Sequence, residues 1–300
     1  MRAEGHAQEA PSLAFVVIAL RGGAALQRCL RSIAAIPARR VVVAAREQVD
    51  APLPGGTHFI ECDEPVPVRR ALGVAQADTD WVAIIEDTCE PAASWYAAFQ
   101  EAARSADAGA WGGPIRIDHG LAPRYLALAA VEYGEFAPER WQRLIRAEKL
   151  GHARVARLAG LCVVYRRARL AALGKLESLI ETETQLALQE AGAFLGLHPG
   201  LEVTYLAADD YGARCASRYR HGRIYGGGQR ARLTPRARAW AIARCPALPP
   251  VLTLRALPAL TGPRARWRAV LWVVAFATAW AAGECAGLLR GRGASLEAWR

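Results

Sequence analysis

Short apolar runs separated by stretches of a different period constrain this chain most. Leu13–Leu20 (LAFVVIAL) is apolar throughout, Arg40–Ala45 (RVVVAA) and Trp81–Glu86 (WVAIIE) nearly so, and Thr57–Glu61 (THFIE) is more mixed. Runs of that length without alternation suit strands buried on both faces. Between them Leu26, Leu30, Ile33 and Ile36 recur at helical spacing until Pro37 stops the helix. Pro67–Ala77 reads as another helix, and Pro91–Ser105 as a third with proline in its first turn. Strands alternating with helices predict a parallel sheet with crossover helices, an α/β layer fold.

The pattern changes after Trp111-Gly-Gly-Pro114. Residues 121–150 read as helical and contain VEYGEF at 131–136. Ala159–Tyr165 reads as a strand, Glu181–Ala191 as a helix and Leu201–Leu206 as a strand. From about 236 onward arginines and prolines alternate with apolar stretches. The expected units are therefore 1–118, 119–235 and a basic, apolar helical tail over 236–300.

A hydrophobic fraction of 53% with 22% charged residues excludes a disordered, collagenous or coiled-coil chain. The formal charge of +10 is unevenly placed: from Arg214 to Arg300 sixteen arginines stand against Glu284 and Glu297 alone. Seven scattered cysteines without a Cys-x-x-Cys pair fit reduced thiols better than a disulfide framework or a zinc ribbon. The opening residues carry no basic stretch leading into an apolar run, so no signal peptide is expected.

Ala269–Gly283 has no charge, Glu284 follows, and Cys285–Leu289 continues the apolar run. As one helix, 269–289 would be about 31 Å long at 1.5 Å per residue. Three readings stay open: a spanning helix, an interfacial helix assisted by Pro250–Leu260, and a core helix. Arg264, Arg266, Arg268, Arg290 and Arg292 flank it and favour contact with an anionic membrane surface. Interleaved Pro, Leu and Trp suit lipid better than a phosphate backbone, so no nucleic-acid partner is expected.

In open α/β sheets ligands bind beyond the carboxyl ends of the strands. Glu86-Asp87-Thr88 sits at such an end. Adjacent buried acids there are costly unless they serve a metal, a ribose hydroxyl or a following helix, and capping by Asp87 is the plain alternative.

At these residues the sequence resembles a family. VAIIEDTCEPAASW is similar to the stretch of family 2 glycosyltransferases where a strand ends in an Asp-x-Asp-type motif before a helix near Trp. Bacterial members with Glu-Asp-His followed by Cys are nearer still, matching Glu86, Asp87 and Cys89. LAFVVIALRGGAALQRCLRSI resembles the family's opening strand and first helix, and VPVRRALGVAQADTDW the segment before the acidic motif. AGLCVVYRRARL resembles the acceptor segment, and ETETQLALQEAG the catalytic helix. YRHGRIYGGGQRAR resembles a basic Gly-Arg segment, and WAAGECAGLLRGRG a C-terminal Gly-Glu stretch. No single motif is specific. The ordered set, from about residue 12 to 293, carries the likeness.

The resemblance implies a GT-A fold and transfer of a sugar from a nucleotide diphosphate donor to a lipid, glycan or other small acceptor, usually with inversion. It places the general base at Glu181, eleven residues before Gly192, with Glu177 and Glu183 as rivals. A plain helix-start acid is the alternative. Glu86 and Asp87, helped by Arg69 or Arg70, are expected to hold the nucleotide. Arg223 is expected on the diphosphate, with His221 and Arg220 nearby, because arginine forks match phosphate oxygens; a solvated basic face is the bland reading. Gly112 and Gly113 would allow close approach of the acceptor, and Glu132 would bond its hydroxyls unless it is a surface acid. Trp111, Tyr133 and Trp141 are sugar-stacking candidates, though core packing is commoner. A divalent cation, Mg²⁺ or Mn²⁺, would sit on Asp87 and Thr88.

Several positions depart from the family pattern. Ala19-Leu20-Arg21 replaces proline and polar residues, Thr88 the last acid or histidine of the motif, and Leu161-Cys162 the acceptor-segment Asn. Tyr205-Leu206 stands where a metal-binding histidine is common, with Asp209 and Asp210 as substitutes. These departures leave two further readings: a metal-independent transferase, and a non-catalytic protein that keeps the fold and binds nucleotide or membrane. The expected location is the cytoplasmic face of a bacterial inner membrane, peripheral or with one C-terminal span.

Overall fold

The apolar runs become the middle of a sheet. In a computed structural model, residues 11–118, 121–148, 152–174, 176–206, 212–260 and 263–299 are described. The first half contains β1 (Leu13–Ile18), α1 (Gly23–Ser32), β2 (Arg39–Ala44), β3 (Thr57–Glu61), α2 (Val66–Gln76), β4 (Trp81–Glu86), β5 (Cys89–Pro91), α3 (Trp95–Ala102), β6 (Ala108–Gly112) and β7 (Ile115–Ile117). Next come α4 (Pro123–Tyr133), α5 (Pro138–Glu148), β8 (Ala153–Val155), β9 (Cys162–Arg166), α6 (Arg167–Ala171), α7 (Glu181–Glu190), β10 (Phe194–Leu197) and β11 (Val203–Tyr205). Four helices close the chain: α8 (Gly212–Arg232), α9 (Pro235–Arg244), α10 (Leu248–Ala256) and α11 (Pro263–Arg290).

The main sheet has strand order β3-β2-β1-β4-β9-β6-β10-β8, and a second, three-stranded sheet runs β5-β11-β7. The first four strands are parallel, as their buried, non-alternating runs require. The expectation of a wholly parallel sheet needs correction, because β9 runs antiparallel to both β4 and β6, and β8 antiparallel to β10. The Pro91–Ser105 helix is shorter than expected. Pro91 ends β5, which pairs with β11, and α3 starts at Trp95. Pairing with a distant strand decided that boundary over the local helix-start signal.

The core lies on both faces of the sheet. Phe15, Trp81, Trp95 and Phe99 form one aromatic block, with Trp95 and Phe99 stacked at 6.0 Å. Trp111 and Trp141 are buried in that same cluster, so they are core residues and not sugar platforms.

The helix expected over 269–289 exists but is longer, and it is built into the protein. Arg266–Arg290 is long and apolar enough to cross a bilayer. One face nevertheless packs inward through Ala269, Val273, Phe276, Ala277 and Leu288. Gly222 and Gly226 of α8 meet Gly283 and Gly287 of α11 at a backbone-to-backbone crossing. A Cβ on Gly226 would run into the Glu284 carbonyl, and one on Gly283 into the Tyr219 carbonyl. The outer face, Trp267, Leu271 and Val274, is exposed, as are Trp240 of α9 and Leu254 of α10.

Candidate functional site

The tip of β4 is fixed from both sides. Glu86 lies beside Ile18 in the β1–β4 register, and its N–H donates to the Leu161 carbonyl at 3.0 Å. The next residue turns inward. Asp87 Oδ2 accepts the N–H groups of Arg21 at 2.9 Å and Gly22 at 2.7 Å, and its own N–H donates to the Ile18 carbonyl. Asp87 is completely buried, and it anchors the loop leading into α1, where Gly22 adopts φ 68° against Gln48. Burial pushes its carboxyl upward, and the bonds from Gly22 and Arg21 pull it back. Asp87 therefore does not cap the turn before Pro91; its carboxylate holds the loop that leads into α1.

Glu86 and Glu181 are ninety-five positions apart and share one guanidinium. Arg70 of α2 is fully buried; its Nη2 lies 2.9 Å from Glu86 Oε1, and its Nη1 forms an ion pair with Glu181. Local bonding explains the meeting. The Leu179 N–H donates to the Pro67 carbonyl at 2.8 Å, laying the segment before α7 along the first turn of α2. Arg70, three residues on, then faces Glu181 at the start of α7. Gly160 completes the fit, since any side chain there would occupy the volume of the Glu181 carboxylate.

Three charges in so small a volume leave an excess of one negative. Burial raises the Glu86 carboxyl from 4.5 to about 7; Arg70 opposes this, while Glu181, Glu132 and Asp87 add to it. Glu132 is near enough for its charge to be felt at Glu86. Glu132, on α4, pairs with Arg218 of α8 at 3.4 Å, and Arg218 lies over the Trp280 ring at 4.5 Å. Burial raises the Glu132 carboxyl against the pull of Arg218 and Arg21. The surface-acid reading of Glu132 is thus replaced by an inward one. Tyr133, beside it, meets Tyr205 of β11 with ring centroids 5.1 Å apart.

Arg69 is buried, donating to the carbonyls of Glu64 and Ala19 and to Gln48 Oε1, so it holds the ends of the surrounding loops. Arg223 turns to the chain's last segment, donating from Nε to the Gly291 carbonyl at 3.2 Å. Gly112 and Gly113 do permit close approach, but of protein: a Cβ on Gly113 would strike the Leu201 carbonyl, and one on Gly112 would press on Leu158. His221 is half-buried beside Trp299, and its imidazole is pushed down to about 3 by burial and by Arg218, Arg70 and Arg220.

Four contributors carried no functional signal in the sequence. Arg21, which stood out only as a departure, has a charge felt by Asp87, Glu132 and Tyr205. Gly160 lay inside a recognised segment, but its role depends on Glu181 packing over it. Arg218 and Trp299 reach the centre only through the packing of α8 and the last turn.

The described residues do not form a seat for a divalent cation. Such an ion needs several accessible oxygens. Asp87 has one oxygen bonded to two amides and the other, without a hydrogen-bond partner, sealed from solvent. Glu86 is paired with Arg70, and the Thr88 hydroxyl points to Glu86 Oε2 at 3.5 Å. Among the described residues no three His, Cys, Asp or Glu side chains cluster as metal ligands. Asp209 and Asp210 lie outside the described residues.

No protein-family model matches this sequence, and no curated protein does. Solved structures do. GalNAc-T7, determined with UDP, GalNAc and Mn²⁺, is similar at TM-score 0.50 and 15% identity, over 66% of this chain and 44% of that one. The match thus spans less than half the length of GalNAc-T7. The mannosyltransferase PcManGT from Pyrobaculum calidifontis, in complex with GDP-Man and Mn²⁺, is similar at TM-score 0.56 and 15% identity, over 91% and 87% of the two chains. At such identity the likeness is one of fold: the chain has the GT-A fold, and it carries an apolar C-terminal helix.

Proposed function

We propose that this GT-A chain is a glycosyltransferase that moves a sugar from a nucleotide diphosphate donor to a glycan, lipid or other small acceptor, with inversion. One observation carries the reading. Glu86 at the tip of β4 and Glu181 at the start of α7 meet at a single guanidinium, beyond the carboxyl ends of the parallel strands. Structural neighbours determined with UDP and GalNAc, and with GDP-Man, support the substrate class.

In the proposed reaction the acceptor oxygen forms a bond to the anomeric carbon. The bond from that carbon to the diphosphate breaks, and its electron pair leaves with the diphosphate. Glu181 takes the acceptor proton, a contribution of the order of 10²–10⁴-fold for a well-placed base. Glu86 and Asp87 shape the nucleotide side, Asp87 by holding the Arg21–Gly22 loop. Arg21 is assigned the diphosphate charge, a stabilisation that is often the largest catalytic contribution. Glu132 is assigned the acceptor hydroxyls.

We also assign the enzyme to an anionic membrane surface, as a peripheral protein. Exposed Trp240, Leu254, Trp267 and Leu271 stand among arginines, and no Asp or Glu occurs between Tyr211 and Gly283. The buried inner face of α11 favours docking over spanning.

A transfer assay over a panel of nucleotide sugars tests the function. Glu181→Gln should abolish turnover while nucleotide diphosphate still binds; near-normal turnover removes Glu181 from the role. The fixed pairing of both acids by Arg70 also favours a second reading, a non-catalytic binding protein. Wild-type chain that binds donors yet neither transfers nor hydrolyses any of them would establish that alternative.

A further inference from the structure

The chain's last turn lies against the carboxylate centre. After α11 the backbone turns at Gly291 and Gly293, with φ of 79° and 51°. Arg292 then forms an ion pair with Glu183 in the first turn of α7. Ser295 is buried, and the Trp299 carbonyl accepts the Val66 N–H at 2.8 Å. Val66 begins α2, where an amide has no partner within the helix. These latches seat the Trp299 indole 5.3 Å from the Arg70 guanidinium and 4.8 Å from the His221 ring.

We propose, on the basis of the transfer reaction above, that Trp299 is a positioning residue of the active site, acting through Arg70. A guanidinium donates in its own plane and is left bare on its faces. Arg70 uses its in-plane donors on Glu86 and Glu181; the indole covers a face and keeps water away from it. Without that cover Arg70 is free to turn toward solvent, and Glu181 loses the partner that sets its direction. Small displacements of a reacting group are costly to turnover. Glu86 keeps its place through the β4 ladder and its bond to Leu161, and the Arg21–Gly22 loop is held by Asp87, so donor affinity should be largely spared. The last turn is thereby a wall of the active site, although it is carried by a segment outside the sheet.

The test compares Trp299→Ala and Trp299→Phe with the wild type in the full chain, with melting temperature checked for each. Trp299→Ala should lower kcat at least about tenfold with the donor KM within about twofold, and the aromatic Phe should restore most of the turnover. A kcat unchanged or raised in Trp299→Ala would overturn the proposal, the rise indicating a plug in place of a wall. A second arm does not need activity: labelling of Arg70 by a dicarbonyl reagent, read by peptide mass mapping. Arg70 should be protected in the wild type and Trp299→Phe but labelled in Trp299→Ala; equal protection in all three overturns the proposal. Arg292→Ala, which frees the latch and leaves the indole intact, should give intermediate labelling. A wild type inactive toward every donor would defeat the proposed function instead, with the labelling still deciding whether Trp299 governs Arg70.

Discussion

Glu86→Gln should make the protein more stable, and only in alkaline solution. In alkaline solution Arg70 faces two carboxylates, so one negative charge is in excess in a site that excludes water. A carboxyl raised from 4.5 to about 7 binds more protons in the folded chain than in the unfolded one between those values. Folding stability therefore falls as pH rises through that window, and the loss at pH 8 is about 3 kcal/mol. Glutamine removes the titration and leaves Arg70 with Glu181 in a balanced pair. Part of the gain is offset, because the amide is still buried and binds Arg70 less strongly than a carboxylate. We expect a net gain of about 1–3 kcal/mol at pH 8 and little change at pH 5. Urea unfolding of both proteins at the two pH values measures it. Glu86→Gln less stable than wild type at pH 8 would refute the reasoning, because Glu86 would then be a net stabilising charge.

Three more outcomes follow from the same geometry. Gly160→Ala should reduce turnover strongly with a small change in melting temperature, since the added methyl displaces only the Glu181 carboxylate; steady-state kinetics beside a thermal melt separates the two. His221 is held neutral down to about pH 3, so the unfolded chain binds the extra proton below 6.5 and stability falls with acidification; His221→Leu should flatten that acid limb in denaturant titrations at pH 4 and 6. Gly226→Val places side-chain atoms where the Glu284 backbone stands, should cost at least about 1–3 kcal/mol, and should loosen α11, read as increased binding to anionic liposomes and a lowered melting temperature.

How much of this was legible beforehand differs by element. Leu13–Ile18, Trp81–Glu86 and the Glu181 helix were readable because buried runs and helix starts are local signals. The direction of β9 was not, because Cys162–Arg166 has the same apolar content whichever way it runs. Pro91 was misread for a related reason, since its partner, Val203, is remote in sequence. Among the site residues, Glu86 stands out as an acid at a strand end, whereas Glu181 is singled out by the family resemblance and otherwise reads as a plain helix-start acid. Arg70 stood out only as a basic residue near them, with no indication that it would join the two.

The sequence alone determined an α/β layer fold, the acids at the tip of β4, and a basic, acid-poor C-terminal region, since each depends on composition and short-range period. Tertiary structure decided which charges meet. Arg70, Glu86, Glu181 and Trp299 come from four elements, and their contacts depend on how α2, β4, α7 and the last turn are packed. Coulombic and stacking interactions act over a few ångströms in space. A linear order of residues carries that distance only after the chain has folded.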